Sequence, residues 1–243
     1  MKSTTIAKLS HAIKVYDKRT VLNDVSLSVN SGQILGIIGP SGSGKTTSIK
    51  CLLGMEKLNN GSAIILNSTM PNRKILGHIG YMGQSDALYE NLSAYENLIF
   101  FGNLIGLQGK VLESMIDDNL QLVKLSAFKK KLVHTFSGGM KRRLSLAITL
   151  LGNPKLIILD EPTVGIDPSL RKDIWAQLRT LSHQGKAIIV TTHVMDEAEK
   201  CDQVGLIIDG KLFEIGTPIA LKEKFGASTI EEVFLKAEVG SYA

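Results

Sequence analysis

One short stretch near the start of the chain has the residue types and spacing to hold phosphate groups. The sequence "GPSGSGKT", Gly39 to Thr46, fits the pattern G-x-x-x-x-G-K-[ST] and begins where the apolar run "ILGIIG" ends. Glycines let backbone amides approach phosphate oxygens closely, and Lys45 adds a positive charge beside them. The hydroxyl of Thr46 is a suitable ligand for Mg²⁺. We predict nucleotide contacts from Gly39, Pro40, Ser41, Gly42, Ser43, Gly44, Lys45, Thr46 and Thr47.

Two adjacent acids complete a chemical pattern with this loop. The run "LIILDE" is apolar until it reaches Asp160 and Glu161. Asp160 suits the shell of a Mg²⁺ ion through a water molecule, and Glu161 can polarise an attacking water as a general base. Acids often end strands, so the pair is informative because a phosphate-binding loop accompanies it. Together these residues predict phosphoryl transfer, which needs positioning and charge neutralisation more than covalent chemistry.

A histidine ends a third apolar run, "AIIVTTH", at His193. Most single histidines are structural or exposed to solvent, and that interpretation stays open for His193. Because this one follows a strand expected in the core, we predict that it contacts the terminal phosphate.

The three apolar runs predict the elements that position this chemistry. The runs Ile34–Gly39, Leu156–Glu161 and Ala187–His193 are rich in β-branched residues, turn polar at their ends and are separated by helical patterns. Strands that are buried on both faces of a parallel sheet read this way, and ligands bind beyond their carboxyl ends. Upstream, "VSLSV" at Val25–Val29 alternates as half-buried antiparallel strands do. We therefore predict an α/β fold with a mostly parallel sheet and an N-terminal antiparallel β subdomain.

The middle of the chain reads as helical. Over about residues 86–153 helical patterns predominate, and Ser93 and Glu96 have capping-box spacing. We predict a helical subdomain inserted into the α/β core, within a single domain over residues 1–243. Asp209-Gly210 predicts a two-residue hairpin turn, and capping-box spacing also predicts a short C-terminal helix over about 228–238.

The composition of the chain excludes fewer classes of binding partner than its motifs do. The chain has 243 residues, 44% hydrophobic and 21% charged, with a net charge of +5. That charge suits a membrane surface, a nucleic acid or a nucleotide, and equally a solvated surface without a partner. Cys51 and Cys201 lie far apart, so we expect neither a disulfide nor a zinc site. No apolar run approaches the roughly 18 to 20 residues that a membrane span needs.

The motifs together resemble one family, the nucleotide-binding subunits of ABC transporters, over nearly the whole chain. The P-loop resembles the family's Walker A motif and "LIILDE" its Walker B motif. The remaining elements are the signature "FSGGM" at Phe136–Met140, the D-loop "GIDP" at Gly165–Pro168, the switch histidine His193, the Q-loop glutamine Gln84 and an adenine-stacking aromatic residue, Tyr16.

The resemblance implies a P-loop NTPase fold, ATP and Mg²⁺ as cofactors, and a head-to-tail dimer. Each ATP would lie between the P-loop of one subunit and Ser137, Gly138 and Gly139 of the other, with Asp167 touching the partner and also capping a helix. A helix that begins at these glycines has free N–H groups that favour a phosphate. Gln84 would sense the Mg²⁺ ion and the γ-phosphate.

Two motifs depart from the commonest family pattern. The signature has Phe136 and Met140 where Leu and Gln are usual, and the D-loop reads Val164 to Asp167 as "VGID". These variants look like the branch that powers ABC-2-type exporters. The alternative is a soluble ABC-type ATPase, for example one of iron–sulfur cluster assembly.

An exporter of this branch needs an integral membrane permease subunit, which would hold this chain at the cytoplasmic face of the cell membrane. We expect apolar residues after Gln84, namely Leu88, Tyr89 and Leu92, to dock that subunit, although core packing explains any one of them equally well. The second ATPase subunit would be a copy of this chain or a related one. We expect no nucleic-acid partner, with the basic run Lys141–Arg143 on a solvated or subunit-facing helix surface.

Overall fold

Strands and helices alternate along the chain in this computed structural model, which describes residues 4–241, with side chains up to residue 239. The strands are β1 (Thr5–Tyr16), β2 (Arg19–Asn30), β3 (Ile34–Ile38), β4 (Asn60–Ile65), β5 (Ser68–Thr69), β6 (Ile79–Met82), β7 (Leu156–Asp160), β8 (Ala187–Thr192), β9 (Gln203–Ile208) and β10 (Lys211–Gly216). The helices are α1 (Lys45–Leu52), α2 (Ala94–Leu104), α3 (Gly109–Leu122), α4 (Gly138–Thr149), α5 (Pro168–His183), α6 (Met195–Ala198), α7 (Pro218–Phe225) and α8 (Ile230–Ser241). Short 3₁₀ turns cover Arg73–His78, Ser126–Phe128 and Val133–Thr135.

A six-stranded sheet carries the three predicted core strands. Its order is β10-β9-β3-β8-β7-β6, and every pairing is parallel except that of β9 with β10. All residues of β3, β7 and β8 are buried, as the apolar runs predicted. Ile38 pairs with Thr192 and Asp160 with Thr191, so the polar residues that follow these strands emerge at one edge of the sheet.

A four-stranded antiparallel sheet, in the order β2-β1-β4-β5, lies beside the first. The alternation in β2 buries Val25, Leu27 and Val29. These side chains pack in one apolar cluster with Leu35 and with residues of α1, so α1 lies between the two sheets. The predicted mixed α/β fold is therefore confirmed, including the N-terminal antiparallel sheet.

Three helices, α2, α3 and α4, lie between β6 and β7. The capping box at the start of α2 forms as its spacing indicates: the amide of Ser93 donates to Glu96 Oε2 over 2.7 Å, and the amide of Glu96 donates to Ser93 Oγ. Leu98, Leu112 and Leu144 are fully buried or nearly so where the helices meet. Among residues 4–241, no helix combines the length and the apolar character needed to cross a bilayer.

The predicted hairpin turn forms. Asp209 and Gly210 both have positive φ in the tight turn that joins β9 to β10. The last described helix, α8, begins at Ile230, where the amide of Glu232 donates to the hydroxyl of Thr229.

Candidate active site

The phosphate-binding loop connects β3 to α1 and is held against its surroundings by backbone packing. A Cβ atom on Gly39 would lie 2.1 Å from the carbonyl oxygen of Ile207, which excludes a side chain there. Gly44 has φ of 107° at the start of α1, and a Cβ atom would lie 2.8 Å from Leu22 Cδ2. Glycine is therefore required both for the conformation and for the close approach of neighbouring strands.

Lys45 places a cation inside the curve of this loop. Its side chain is buried, and Nζ donates to the carbonyls of Gly39 over 2.8 Å and Pro40 over 2.9 Å. Burial lowers the pKa of Lys45, while the carboxylates of Glu161 and Asp160 act in the opposite direction. The same loop also buries the hydroxyl of Ser43, which has no hydrogen-bond partner within the described chain. A buried cation and an unsatisfied hydroxyl fit a ligand rich in acceptor oxygens, as a polyphosphate is.

A cavity of about 540 Å³ opens beside the loop, and we call it the nucleotide cavity. Its size is that of a small-molecule site. Predicted residues that border it are Tyr16, Ser41, Gly42, Gly44, Lys45, Thr46, Thr47, Gln84 and Glu161. Others that border it are Arg19, Thr20, Val21, Asp209 and Gly210.

Thr46 is the meeting point of the residues predicted to hold Mg²⁺. Its Oγ1 donates to Asp160 Oδ2 over 2.9 Å and accepts from Gln84 Nε2 over 3.1 Å. Asp160 is fully buried, and the hydroxyl of Thr191 donates to its other oxygen. A hydroxyl and a carboxylate are the hard oxygen ligands that Mg²⁺ prefers, with water and phosphate completing its shell. The residues therefore fit this ion.

Glu161 follows directly and has its side chain at the cavity wall. Its φ is +54°, an uncommon conformation for a residue with a side chain. The backbone amide donates to the carbonyl oxygen of Thr191 over 3.1 Å, which fixes the turn. His193 Nδ1 lies 3.4 Å from Glu161 Oε2, and its side chain is half exposed. The structure thus brings the predicted base and the predicted switch histidine together.

Tyr16 borders the nucleotide cavity with its ring partly exposed. Lys14 Nζ lies 4.4 Å from the ring centroid and 3.0 Å from Glu56 Oε2. Partial burial and a hydrogen bond to the Glu56 carboxylate raise the pKa of Tyr16 to about 12. Lys14 therefore contacts the face of the Tyr16 ring, and Glu56 holds its hydroxyl.

Four predicted residues lie elsewhere in this chain and form what we call the signature surface: Ser137, Gly138, Gly139 and Asp167. Ser137 caps α4, its Oγ accepting from the amide of Met140, and Asp167 caps α5 in the same way. A Cβ atom on Gly139 would lie 3.3 Å from the carbonyl oxygen of Gly165, so the two motifs are neighbours. None of the four residues borders the nucleotide cavity of its own chain.

A second cavity, of about 250 Å³, lies where the helices meet β6, and we call it the helical groove. Its apolar wall includes Leu88, Phe101, Leu104 and Ile105. Tyr89 is about half exposed nearby, with its ring centroid 4.7 Å from that of Phe100. Leu92 does not border the groove; its carbonyl accepts from the amide of Val133.

Sequence reasoning misplaced one residue. We expected Arg142 on a solvated or subunit-facing surface, but its side chain is only 7% exposed and donates to the carbonyl of Glu161 over 2.7 Å. The signal was present in the helix, because Arg142, Ser145, Leu146 and Thr149 form one buried stripe at spacings of three and four residues. The neighbouring positive charges of Lys141 and Arg143 favoured an exposed position and outweighed this pattern.

Sequence reasoning also missed the wall formed by Arg19 and Asp209. The turn between β9 and β10 packs onto the phosphate-binding loop, since the amide of Gly210 donates to the carbonyl of Ser43 over 3.1 Å. The predicted turn was visible in the sequence, but its position depends on β9 lying beside β3.

Comparisons with known proteins identify the family. A family model described as ABC transporter matches residues 22–164. Nod factor export ATP-binding protein I of Neorhizobium galegae is 37% identical over 234 residues, covering 95% of this chain and 67% of that protein. ABC transporter A family member 8 of Arabidopsis thaliana is 39% identical over 226 residues. That match covers 91% of this chain but 25% of the plant protein, so the chain spans about a quarter of that relative's length.

Solved structures show the same architecture. An ATP-binding subunit of an ABC transporter has a TM-score of 0.89 at 25% identity, covering 96% of this chain and 99% of that one. A dimeric ATP-binding cassette in a post-hydrolysis state, bound to ADP and phosphate, has a TM-score of 0.81 at 25% identity. It covers 87% of this chain and 98% of that one. The chain therefore belongs to the ABC transporter family and is one of its ATP-binding, ATP-hydrolysing cassettes.

Proposed function

We propose that this chain is the ATPase subunit of an ABC-2-type exporter. The observation that carries the proposal is the convergence of Lys45, Thr46, Asp160 and Glu161 at one edge of the parallel sheet, beside the nucleotide cavity. The relative from Neorhizobium galegae is named for Nod factor export, which supports the direction of transport.

Each side chain at the cavity has a distinct task in hydrolysis. Glu161 accepts a proton from the attacking water, and His193 beside it holds the γ-phosphate end of the nucleotide. Lys45 neutralises charge on the β and γ phosphates, and Tyr16 stacks on the adenine ring. When bound, Mg²⁺ would neutralise negative charge on the phosphates. Thr46, Asp160 and Gln84 would hold that ion, Asp160 through water.

A second copy completes the site. The N-terminus of α4 directs free amides outward, and a Cβ atom on Gly138 would meet nothing within 4 Å. The signature surface can therefore receive a phosphate. Because it does not border the nucleotide cavity of its own chain, that phosphate would belong to a nucleotide bound by another chain. The related cassette solved as a dimer with ADP and phosphate supports a head-to-tail pair, formed by this chain or with a related subunit.

An integral membrane permease docks in the helical groove. Gly83 and Ser85 border the groove, while Gln84 between them borders the nucleotide cavity. A movement of Gln84 caused by the nucleotide would therefore act directly on Gly83 and Ser85 at the groove. The exposed apolar side chains Tyr89 and Leu104 at this end suit the apolar face of a permease helix at the cytoplasmic side of the membrane.

Site-directed cross-linking in native membranes tests the coupling to transport. Tyr89→Cys and Leu104→Cys should cross-link to a polytopic membrane protein, because both side chains are exposed whereas the native Cys51 and Cys201 are buried. Leu235→Cys is the matched control, because Leu235 lies on α8 and its exposure is between those of Tyr89 and Leu104; it should not give that product. Cross-links to cytosolic proteins alone would favour the soluble ABC-type ATPase, for example one of iron–sulfur cluster assembly.

A further inference from the structure

Arg142 joins three parts of the chain through one buried guanidinium group. Its Nη1 donates to the carbonyls of Gly83 over 2.8 Å and Gln84 over 3.1 Å. Its Nη2 donates to the carbonyls of Asp160 over 2.6 Å and Glu161 over 2.7 Å. The residue itself belongs to α4, so that helix is tied to the predicted Q-loop segment, to the predicted Mg²⁺ ligand Asp160 and to the predicted base Glu161.

The orientation of this guanidinium is itself fixed. Asp86 Oδ1 lies 3.3 Å from Nη1 of Arg142 and accepts from the hydroxyl of Ser145, one turn further along α4, over 2.7 Å. The Arg142 side chain is nine-tenths buried, so water does not compete strongly for these bonds.

The bond to Glu161 acts on a strained residue. With φ at +54°, Glu161 needs support from neighbouring groups to keep this conformation. Thr191 holds its amide and Arg142 holds its carbonyl, so the backbone is fixed on both sides. The direction of the Glu161 carboxylate toward the nucleotide cavity depends on that backbone.

The same helix carries the signature surface at its other end. Ser137 caps α4 and Gly138 begins it, one turn before Arg142. The carbonyls of Gln84 and Glu161 are therefore joined through Arg142 to the first turn of the helix that begins after Ser137. A lysine could not replace this link, since it lacks the planar fork that reaches two segments at once.

We propose that Arg142 is a positioning residue that fixes Glu161 for water activation and links the nucleotide cavity to the signature surface of the same chain. In a head-to-tail dimer, on which this inference rests, the signature surface belongs to the other ATP site. Arg142 then makes hydrolysis at the two sites cooperative.

The test compares wild-type protein with Arg142→Lys in steady-state Mg²⁺-ATP hydrolysis and in nucleotide binding by the isolated chain. We expect kcat to fall on the order of 10- to 100-fold, the size of effect that a misplaced catalytic group produces, with the affinity of the chain for ATP unchanged. The Hill coefficient for ATP should be above one in the wild type and one in the variant. An unchanged kcat and Hill coefficient would overturn the inference.

Two further variants separate positioning from folding. Arg179→Lys is the matched control, because Arg179 also bridges a carboxylate, Asp202, and a backbone carbonyl, that of Lys200, but away from the cavity. It should keep the wild-type kcat and Hill coefficient. An equal loss in this control would show that the role of Arg142 is only structural.

If Arg142→Lys does not fold, Asp86→Asn provides the test, because it loosens the guanidinium of Arg142. It should lower kcat and the Hill coefficient in the same direction as Arg142→Lys, but less. Wild-type behaviour of Asp86→Asn would then overturn the inference, whereas a wild-type protein that does not hydrolyse ATP contradicts the proposed function.

Discussion

The nucleotide cavity and the signature surface are held by the chain in opposite ways. At the cavity, Asp160 is fully buried, Lys45 is almost so, and the side chain of each makes two hydrogen bonds within the chain. At the signature surface, Gly138 faces open space and Ser137 makes a single cap bond of 3.3 Å. The chain itself therefore fixes the geometry of the first region, whereas in the second region it leaves a helix start open to solvent. Variants at the cavity should therefore lose ATP hydrolysis, and variants at the signature surface should lose ATP-driven association.

Glu161→Gln should give the largest change, and it acts at the cavity alone. Removing the general base should slow ATP hydrolysis by about 10² to 10⁴-fold. The amide keeps the shape of the carboxylate and the signature surface is untouched, so ATP should still bind and drive association of two copies. Phosphate release measures the first effect and light scattering after size-exclusion chromatography measures the second.

The control for this variant is Glu199→Gln, which removes a carboxylate that pairs with Lys222 outside the cavity. It should hydrolyse ATP at the wild-type rate. Undiminished hydrolysis in Glu161→Gln would remove Glu161 from the role of base.

Gly138→Asp breaks the other region while leaving the cavity intact. The new side chain has room within its own chain, and an acidic residue is favourable in the first turn of a helix. In the dimer it would meet the phosphates of the partner's ATP, and this repulsion should weaken ATP-driven association by at least about 100-fold. Equilibrium sedimentation with ATP measures association, and fluorescent ATP measures binding to the single chain, which should not change.

Gly77→Asp provides the comparison, because a Cβ atom on Gly77 also meets nothing within 4 Å and its φ is likewise not positive. It should associate normally in ATP. If Gly138→Asp associates as well as Gly77→Asp does, the glycines are an ordinary helix start and the asymmetry between the two regions has no functional meaning.

The same contrast explains what the sequence could predict. The loop at Gly39 and the acids at Asp160 and Glu161 follow strands whose residues are all buried, so a local pattern specified both the strand and its polar end. This was enough to predict the fold and the family, and both predictions are confirmed. The roles of individual site residues stay predictions.

Features that depend on contacts between distant segments were not predictable in the same way. The charge of Arg142 predicts a surface position, but the residue lies in a buried helical stripe. Asp209 reaches the cavity wall only because β9 pairs with β3 across the sheet. Leu92 is predicted to dock a permease subunit, but it does not border the helical groove, and its carbonyl accepts from the amide of Val133. Burial of a charge and the order of strands in a sheet are tertiary effects that periodicity does not encode.

Tyr16 gives the smallest expected effect and sharpens the claim that the chain itself prepares the cavity. Tyr16→Ala should weaken ATP binding by about tenfold, which is within the range for loss of stacking between an aromatic ring and a base. Tyr16→Phe should weaken it less, because the ring stays and Lys14 still lies over its face. Equal losses in the two variants would mean that the hydroxyl, and not the ring, binds the nucleotide.

The titration of the Tyr16 hydroxyl tests how the ring is held. Its pKa is raised to about 12 from the ordinary 10.0 by partial burial and by the hydrogen bond to Glu56. The folded state favours the protonated phenol, so the stability that this contact contributes is fully present below pH 10 and is lost as the pH rises toward 12. The difference in phenolate absorbance between wild type and Tyr16→Phe should therefore have its midpoint near 12. A midpoint near 10 would show that Glu56 does not hold the hydroxyl, and the ring would then be positioned by bound ATP and not by the chain.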